Sequence, residues 1–162
     1  MDRINKIQTG FTLIELMITL VIAIVVLSIG IPGITRLKQN SELTTVTNEL
    51  VAALSLSRSE AIKRSASVAL RPTGGSWGNG WEIRVVNPDS LLRVFDALPA
   101  GSLVTPSVSP LTFDDLGNTA QACIDVAITN GIDEVRSIPI SATGRLTSCK
   151  VKCADVGGGV CN

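Results

Sequence analysis

The residues with the most evident chemistry lie near the start of the chain, in Gly10-Phe11-Thr12-Leu13-Ile14-Glu15-Leu16. They open an apolar run over residues 11–31, and Glu15 is the single charge among those 21 residues. A carboxylate at the centre of a membrane helix costs about 2.5 to 3.5 kcal/mol on insertion scales, less near an end, and an intramembrane acid usually has a partner. No lysine or arginine stands within two turns of Glu15. A cut after Gly10 would create the missing cation, a free α-amino group on Phe11. Within one helix that amine sits a turn from Glu15. Between neighbouring subunits, the amine of one chain would meet Glu15 of another and fix their axial register.

The second reactive set is the four thiols, Cys123, Cys149, Cys153 and Cys161. An even number gathered on the exported side of a membrane anchor reads as disulfides. Four cysteines allow three pairings and the sequence does not choose among them. The working expectation is Cys123–Cys149, joining two strands, with Cys153–Cys161 pinning the tail. Cys-x₃-Cys followed by a third cysteine after seven more residues is an odd spacing for zinc, and the chain has no histidine, so no metal is expected.

Catalysis fails on inventory. Without histidine there is no imidazole general base and no histidine-based triad. Asp114 and Asp115 precede Gly117-Asn118 and read as a turn cap, not as a calcium loop. Gly74-Gly75 and Gly157-Gly158-Gly159 lack the lysine and the strand-to-helix context of a phosphate-binding loop; the later run gives the tail freedom between Cys153 and Cys161. No catalytic residue and no cofactor is expected, and the chain reads as a structural or interaction protein rather than an enzyme. With 14 basic and 14 acidic residues, bulk charge favours neither nucleic acid nor an anionic membrane as partner.

These residues need elements to position them. A 21-residue apolar helix spans roughly 30 Å, one hydrocarbon core. Arg3 and Lys6 precede it, so residues 1–10 are expected in the cytoplasm and everything after residue 31 across the membrane. A secretory signal is a poor match: the apolar region is too long, and Ser28-Ile29-Gly30, its one candidate cleavage site, falls inside the helical pattern. Gly30, Pro32 and Gly33 weaken the helix near its outer end without stopping it. Beyond them Ile34, Leu37, Leu43, Val46, Leu50 and Leu54 begin an apolar set that continues through Ala53, Ser57, Ala61 and Ile62. From Leu43 on, its steps are threes and fours, one face of a helix. One helix is therefore predicted over residues 11–64, apolar all round in its first half and striped in its second, as packing on a sheet requires.

After residue 64 the pattern changes to short strands. Strands are predicted at 68–71, 81–85, 91–95, 111–113, 123–129, 135–140 and 145–151, with a short edge strand among the prolines of 99–110. Asn87-Pro88-Asp89-Ser90 is a hairpin turn signal. On a strand at 145–151, Lys150 and Lys152 share one face and extend a basic patch from Arg145. The fold class is α+β: a long N-terminal helix packed on a small, largely antiparallel β domain of seven or eight strands. The expected division is 1–10 leader, 11–33 membrane helix, 34–64 amphipathic helix and 65–162 periplasmic β-rich domain with a disulfide-bonded C-terminal region. One such domain suffices for a single core.

Gly10 followed by Phe11-Thr12-Leu13-Ile14-Glu15-Leu16 resembles the signal of type IV pilins and type II secretion pseudopilins. The resemblance implies that a prepilin peptidase cuts after Gly10 and methylates Phe11, and that Glu15 guides assembly. Pro32 falls where many of those proteins carry a helix-weakening proline. Trp77-Gly78-Asn79-Gly80-Trp81 before a strand, Leu91-Leu92-Arg93 on the return, and Ile138-Pro139-Ile140 running into Gly144-Arg145 resemble the GspH/FimT branch. Core packing is the ordinary expectation for Trp77 and Trp81, with recognition by Trp77 as the alternative.

The branch implies three uses. One is a FimU-type minor pilin that primes assembly in a tip complex. Another is a FimT-type minor pilin that binds DNA in natural transformation. The third is the H-type pseudopilin of type II secretion. The cysteine-rich ending is more similar to the FimU-type pilin than to the pseudopilin. The DNA-binding pattern Gly-Arg-x-Arg is matched at Gly144 and Arg145 but has Thr147 in place of its second arginine, which leaves Arg145, Lys150 and Lys152 as candidate DNA contacts. Implied partners are the prepilin peptidase, the other minor pilins and the major pilin, the inner-membrane assembly platform and DNA. The implied location is the inner membrane, single-pass, and then the extracellular filament.

Overall fold

The computed structural model describes residues 10–129, 134–156 and 161, and only the backbone of residues 29–32. The leader residues Arg3 and Lys6, the side chain of Pro32, and the glycine run at 157–159 lie outside the described residues. One α-helix, α1 (Leu13–Arg64), is followed by seven strands among those residues. They are β1 (Val68–Pro72), β2 (Trp81–Val85), β3 (Ser90–Val94), β4 (Ser102–Pro106), β5 (Leu111–Phe113), β6 (Ala122–Ile128) and β7 (Val135–Ile140). The chain divides into two compact units at Leu37/Lys38.

In the N-terminal unit the apolar side chains stand exposed, Phe11 at 81%. Among the described residues, α1 is the one helix long and apolar enough to cross a membrane, with a mean hydropathy of 2.7 over its most apolar window. As expected, α1 runs on past Gly33.

In the second unit one stripe of α1 is buried: Leu43, Val46, Leu50, Ala53, Leu54 and Ala61. Thr47 and Ser57 share that stripe, and each hydroxyl donates to the carbonyl four residues back, at 2.7 and 2.8 Å, which lets a polar group enter the core at little cost. The stripe is shorter than the sequence predicts. Ile34, Leu37 and Ile62 are exposed; the first two precede the three-and-four rhythm that starts at Leu43, and Ile62 turns off it by one residue.

The strands form two antiparallel sheets, ordered β3-β2-β1-β5 and β4-β6-β7. Strict alternation makes this work: β2 and β6 bury every second residue, so Trp81, Ile83 and Val85 face the core from the first sheet, and Ile124, Val126 and Ile128 from the second. The helix stripe and both sheets share one cluster, closed by Leu70, Phe113, Ile138 and Ile140. Trp81 is fully buried at its centre. It stacks at 6.4 Å on Trp77, which is half-buried, and at 5.7 Å on Phe95, so the tryptophan pair packs as core.

The predicted strand over residues 145–151 is not a strand. Two isolated bridges stand there, Ser137↔Cys149 and Ile140↔Leu146. Ser137 and Cys149 exchange both backbone hydrogen bonds, at 3.0 and 2.8 Å. At the next pairing Thr147 N–H donates to the Pro139 carbonyl at 3.3 Å, but Pro139 has no N–H to return. A ladder cannot continue through that position, so the segment lies along β7 without joining it. Lys150 and Lys152 are both exposed, yet they do not extend a strand face from Arg145.

Candidate functional site

Two regions carry the candidate residues. The first is the start of α1. Gly10 and Phe11 are exposed and precede the helix. Thr12 is its N-cap: the Thr12 hydroxyl accepts the Glu15 N–H at 3.3 Å, and the Thr12 carbonyl accepts the Leu16 N–H at 3.2 Å. Thr12-x-x-Glu15 is thus half of a capping box, a role for Thr12 legible in the sequence but passed over there. Glu15 lies in the first turn, where the helix dipole favours a carboxylate.

The second region is the C-terminal segment. The disulfides are Cys123–Cys153 and Cys149–Cys161, with Cα atoms 5.8 and 5.4 Å apart, and the expected pairing is corrected. Cys123 sits on β6 opposite Pro139, whereas Cys149 bridges Ser137 on the other side of β7. Two inter-strand spacings separate them, roughly 9.5 Å, beyond the reach of a disulfide. Cys149 is also buried while Cys123 is on the outer face. The Cys153 N–H donates to Asp125 Oδ1 at 2.8 Å, which seats Cys153 over β6.

The two bridges interleave along the chain, and each ties a segment with little ladder of its own to the sheet. For sequence separations of 30 and 12 residues, loop closure in the unfolded chain is worth about 3.5 and about 3 kcal/mol. Replacing Cys123 and Cys153 together with serine should therefore lower stability by about 2 to 4 kcal/mol, measured by denaturant unfolding of the full chain in detergent, with the Cys149/Cys161 pair costing less. Among the described residues no three histidine, cysteine or acidic side chains gather where a metal could bind.

Arg145 follows Gly144 in the turn after β7. The turn is built by the Gly144 N–H donating to the Ser141 carbonyl at 2.8 Å, and by the Arg145 N–H donating to the Ser141 hydroxyl at 3.0 Å. What holds it on the domain is Arg58 of α1. Arg58 Nε donates to the Gly117 carbonyl and Nη2 to the Thr143 carbonyl, both at 3.0 Å. Gly144 has φ +73°, and a Cβ there would stand 2.3 Å from the Gly117 oxygen and 2.7 Å from Arg58 Nε.

Gly117 is fixed in turn by Asp114, whose Oδ1 accepts the N–H groups of Asn118 at 2.7 Å and Leu116 at 3.0 Å, the turn cap its sequence position suggests. The Asn118 N–H, foremost, holds the Asp114 carboxyl below its ordinary value of 3.8. A depressed carboxylate stabilises the fold above its unfolded pKa and loses that contribution as pH falls through the folded one, so this loop stays braced at neutral pH. In the sequence Arg58 is one polar residue beside Ser57 of the stripe. Nothing local signals its partners, which lie 59 and 85 residues away.

The family profile described as type II transport protein GspH matches residues 46–144. This covers most of the chain. The chain belongs to the GspH family. The profile of the prokaryotic N-terminal methylation motif matches residues 5–31 of this GspH-family chain. The type IV minor pilin FimU of Pseudomonas aeruginosa PAO1 is similar in two crystal structures. One has 25% identity and a TM-score of 0.57, covering 70% of this chain and 89% of FimU; the other has 24% and 0.56, covering 65% and 90%. The minor pseudopilin EpsH from the type 2 secretion system of Vibrio cholerae shares the fold, at a TM-score of 0.55 and 12% identity, over 66% of this chain and 95% of EpsH. No curated protein matches the chain. The fold is pilin-like, and this GspH-family chain is a subunit of the minor pilin and pseudopilin kind.

Proposed function

We infer that this protein is a minor pilin of a type IV pilus. A prepilin peptidase cuts between Gly10 and Phe11 and methylates the new terminus. The mature chain waits in the inner membrane through α1, with its β-rich domain in the periplasm, and passes into a filament tip complex with the other minor pilins, above the major pilin. The assembly platform draws it from the membrane. Its work is structural rather than catalytic. The observation that carries this reading is the coincidence of a methylation motif over residues 5–31 with a GspH-type domain. Greater identity to FimU than to EpsH supports a pilus over a secretion pseudopilus.

Quantitative proteomics of sheared pili tests it. The chain should be present at far below the amount of the major pilin, and deleting it should reduce pilus number. Loss of protein secretion with normal piliation would move it to the type II system.

DNA capture is the second reading, favoured by three exposed cations, Arg145, Lys150 and Lys152, within one short segment. Phosphate neutralisation supplies most non-specific affinity, so three charges imply weak, salt-sensitive binding. Arg145→Gln or Lys152→Gln should weaken a duplex gel shift by the full chain. No shift at low salt removes this reading.

A further inference from the structure

We propose that the groove between the C-terminal part of α1 and the turn after β7 docks an acidic segment with an apolar flank, presented by a neighbouring filament subunit. The inference rests on the minor-pilin reading. The groove holds about 570 Å³ and lies wholly within the β-rich unit. Ser55, Ser59 and Ile62 line it from one face of α1, at i, i+4 and i+7, and Gly144, Arg145 and Leu146 line it from the turn.

Two guanidinium groups border this groove, and neither is compensated. Among the described residues no carboxylate lies within 4 Å of Arg58 or Arg145, nor of Arg36, Arg93 or Arg136, whereas Arg64 and Arg71 each have one and Arg84 has two. Two acids on the flanking elements are already engaged, while Asp115, next to Asp114, is exposed. Glu60 of α1 is held by Arg64 and Lys63, and Asp114 by the N–H groups of its own loop. Arg58 spends two N–H donors on backbone carbonyls, which pins it in place but leaves its charge unanswered. A guanidinium keeps that charge at any physiological pH and offers five donors, so further donors stay free for an incoming oxygen.

Two aliphatic side chains, Ile62 and Leu146, stand in the lining beside the hydroxyls of Ser55, Ser59 and Thr143. Ile62 is 47% exposed and Leu146 is half-buried. The floor is rigid, because Gly144 packs against the Gly117 carbonyl with no room for a side chain. A groove with one pinned guanidinium, a second exposed at Arg145, and two aliphatic side chains matches one or two carboxylates beside an aliphatic side chain. A duplex suits it less well: phosphate binding gains from many cations along a track, and Ile62 and Leu146 would meet no apolar surface.

The test places a photo-reactive amino acid at position 59 of the full-length protein in cells that assemble filaments. Filaments are sheared and the adducts mapped by mass spectrometry. The expected adduct joins position 59 to a pilin subunit, within a few residues of an aspartate or glutamate. Arg145→Gln should lower its yield about fivefold or more, while Arg93→Gln, an exposed cation on β3 outside the groove, leaves it unchanged. An adduct on a neutral or basic segment, on nucleic acid or on lipid overturns the proposal, as does no adduct or a yield indifferent to Arg145→Gln. Recovery of the chain in filaments is scored separately, so the docking site can fail while the minor-pilin reading stands. Absence from filaments instead removes both.

Discussion

Glu15→Ala should leave the protein in the inner membrane at its normal level and lower its recovery in filaments by tenfold or more. The two halves of this result have opposite causes. Removing a carboxylate from a spanning helix eases insertion by up to about 2.5 to 3.5 kcal/mol, so the membrane pool does not fall. In the filament, on the proposed reading, the same carboxylate is the partner of an α-amino group. Breaking a buried ion pair by deleting one member costs about 3 to 5 kcal/mol, because the other charge is left uncompensated. Quantitative immunoblots of membranes and sheared filaments read both halves. Glu15→Gln should behave like Glu15→Ala, since it keeps the shape and loses the charge. Thr12→Ala separates capping from pairing: it removes the hydroxyl that accepts the Glu15 N–H, a loss of about 1 kcal/mol, but leaves the carboxylate in place. Equal loss of incorporation in Thr12→Ala and Glu15→Ala would assign Glu15 to the cap rather than to a subunit contact.

Gly80→Ala should be among the most damaging single substitutions in the β-rich unit, costing about 3 kcal/mol or more. Gly80 has φ +87° and ψ −166°, a region open essentially to glycine alone, where another residue is strained by about 1 to 3 kcal/mol. Space is the second charge against it. A Cβ at Gly80 would lie 2.3 Å from the Phe95 carbonyl oxygen and 2.4 Å from that of Asp96, both backbone atoms that no rotamer change can move. The chain must cross there because Gly80 N–H closes the 3₁₀ turn of Trp77–Asn79 on the Trp77 carbonyl, and its own carbonyl accepts the Thr73 N–H. Opening that crossing pulls Phe95 from Trp81, whose carbonyl accepts the Phe95 N–H at 2.8 Å, and so loosens the centre of the core. Thermal unfolding of the full chain should show a lower midpoint for Gly80→Ala. Gly75→Ala is the control: its φ is also positive, +81°, but nothing lies within 4 Å of an added Cβ. An equal loss at both sites would attribute the effect to conformation alone.

Elements with one dominant period were readable in the sequence. The three-and-four spacing from Leu43 to Ala61 marks the buried stripe of α1, and the alternation in Trp81–Val85 gives β2 with its observed ends. β7 likewise spans Val135–Ile140 as its composition suggests. Where structure depends on partners distant in sequence, local pattern was silent. Lys150-Val151-Lys152 alternates like a strand, but whether it joins a ladder is decided by Pro139 on the neighbouring strand. The cysteine pairing turns on which side of β7 each thiol lies, which spacing does not encode. Arg58 looked like an ordinary solvated residue at the stripe's margin; its grip on Gly117 and Thr143 exists only once two loops arrive there. In the N-terminal unit the residues were legible for a different reason. One charge in an apolar run stands out without any fold, and the roles proposed for Gly10, Phe11 and Glu15 lie with a peptidase and neighbouring subunits rather than with contacts within the domain.

The central claim, that processing supplies the cation Glu15 needs, is tested most directly by intact-mass and N-terminal analysis of the protein recovered from sheared filaments. The account predicts a chain that begins at Phe11 and carries one added methyl group on its α-nitrogen. A filament-borne chain that still begins at Met1, or that begins at any residue other than Phe11, would contradict it.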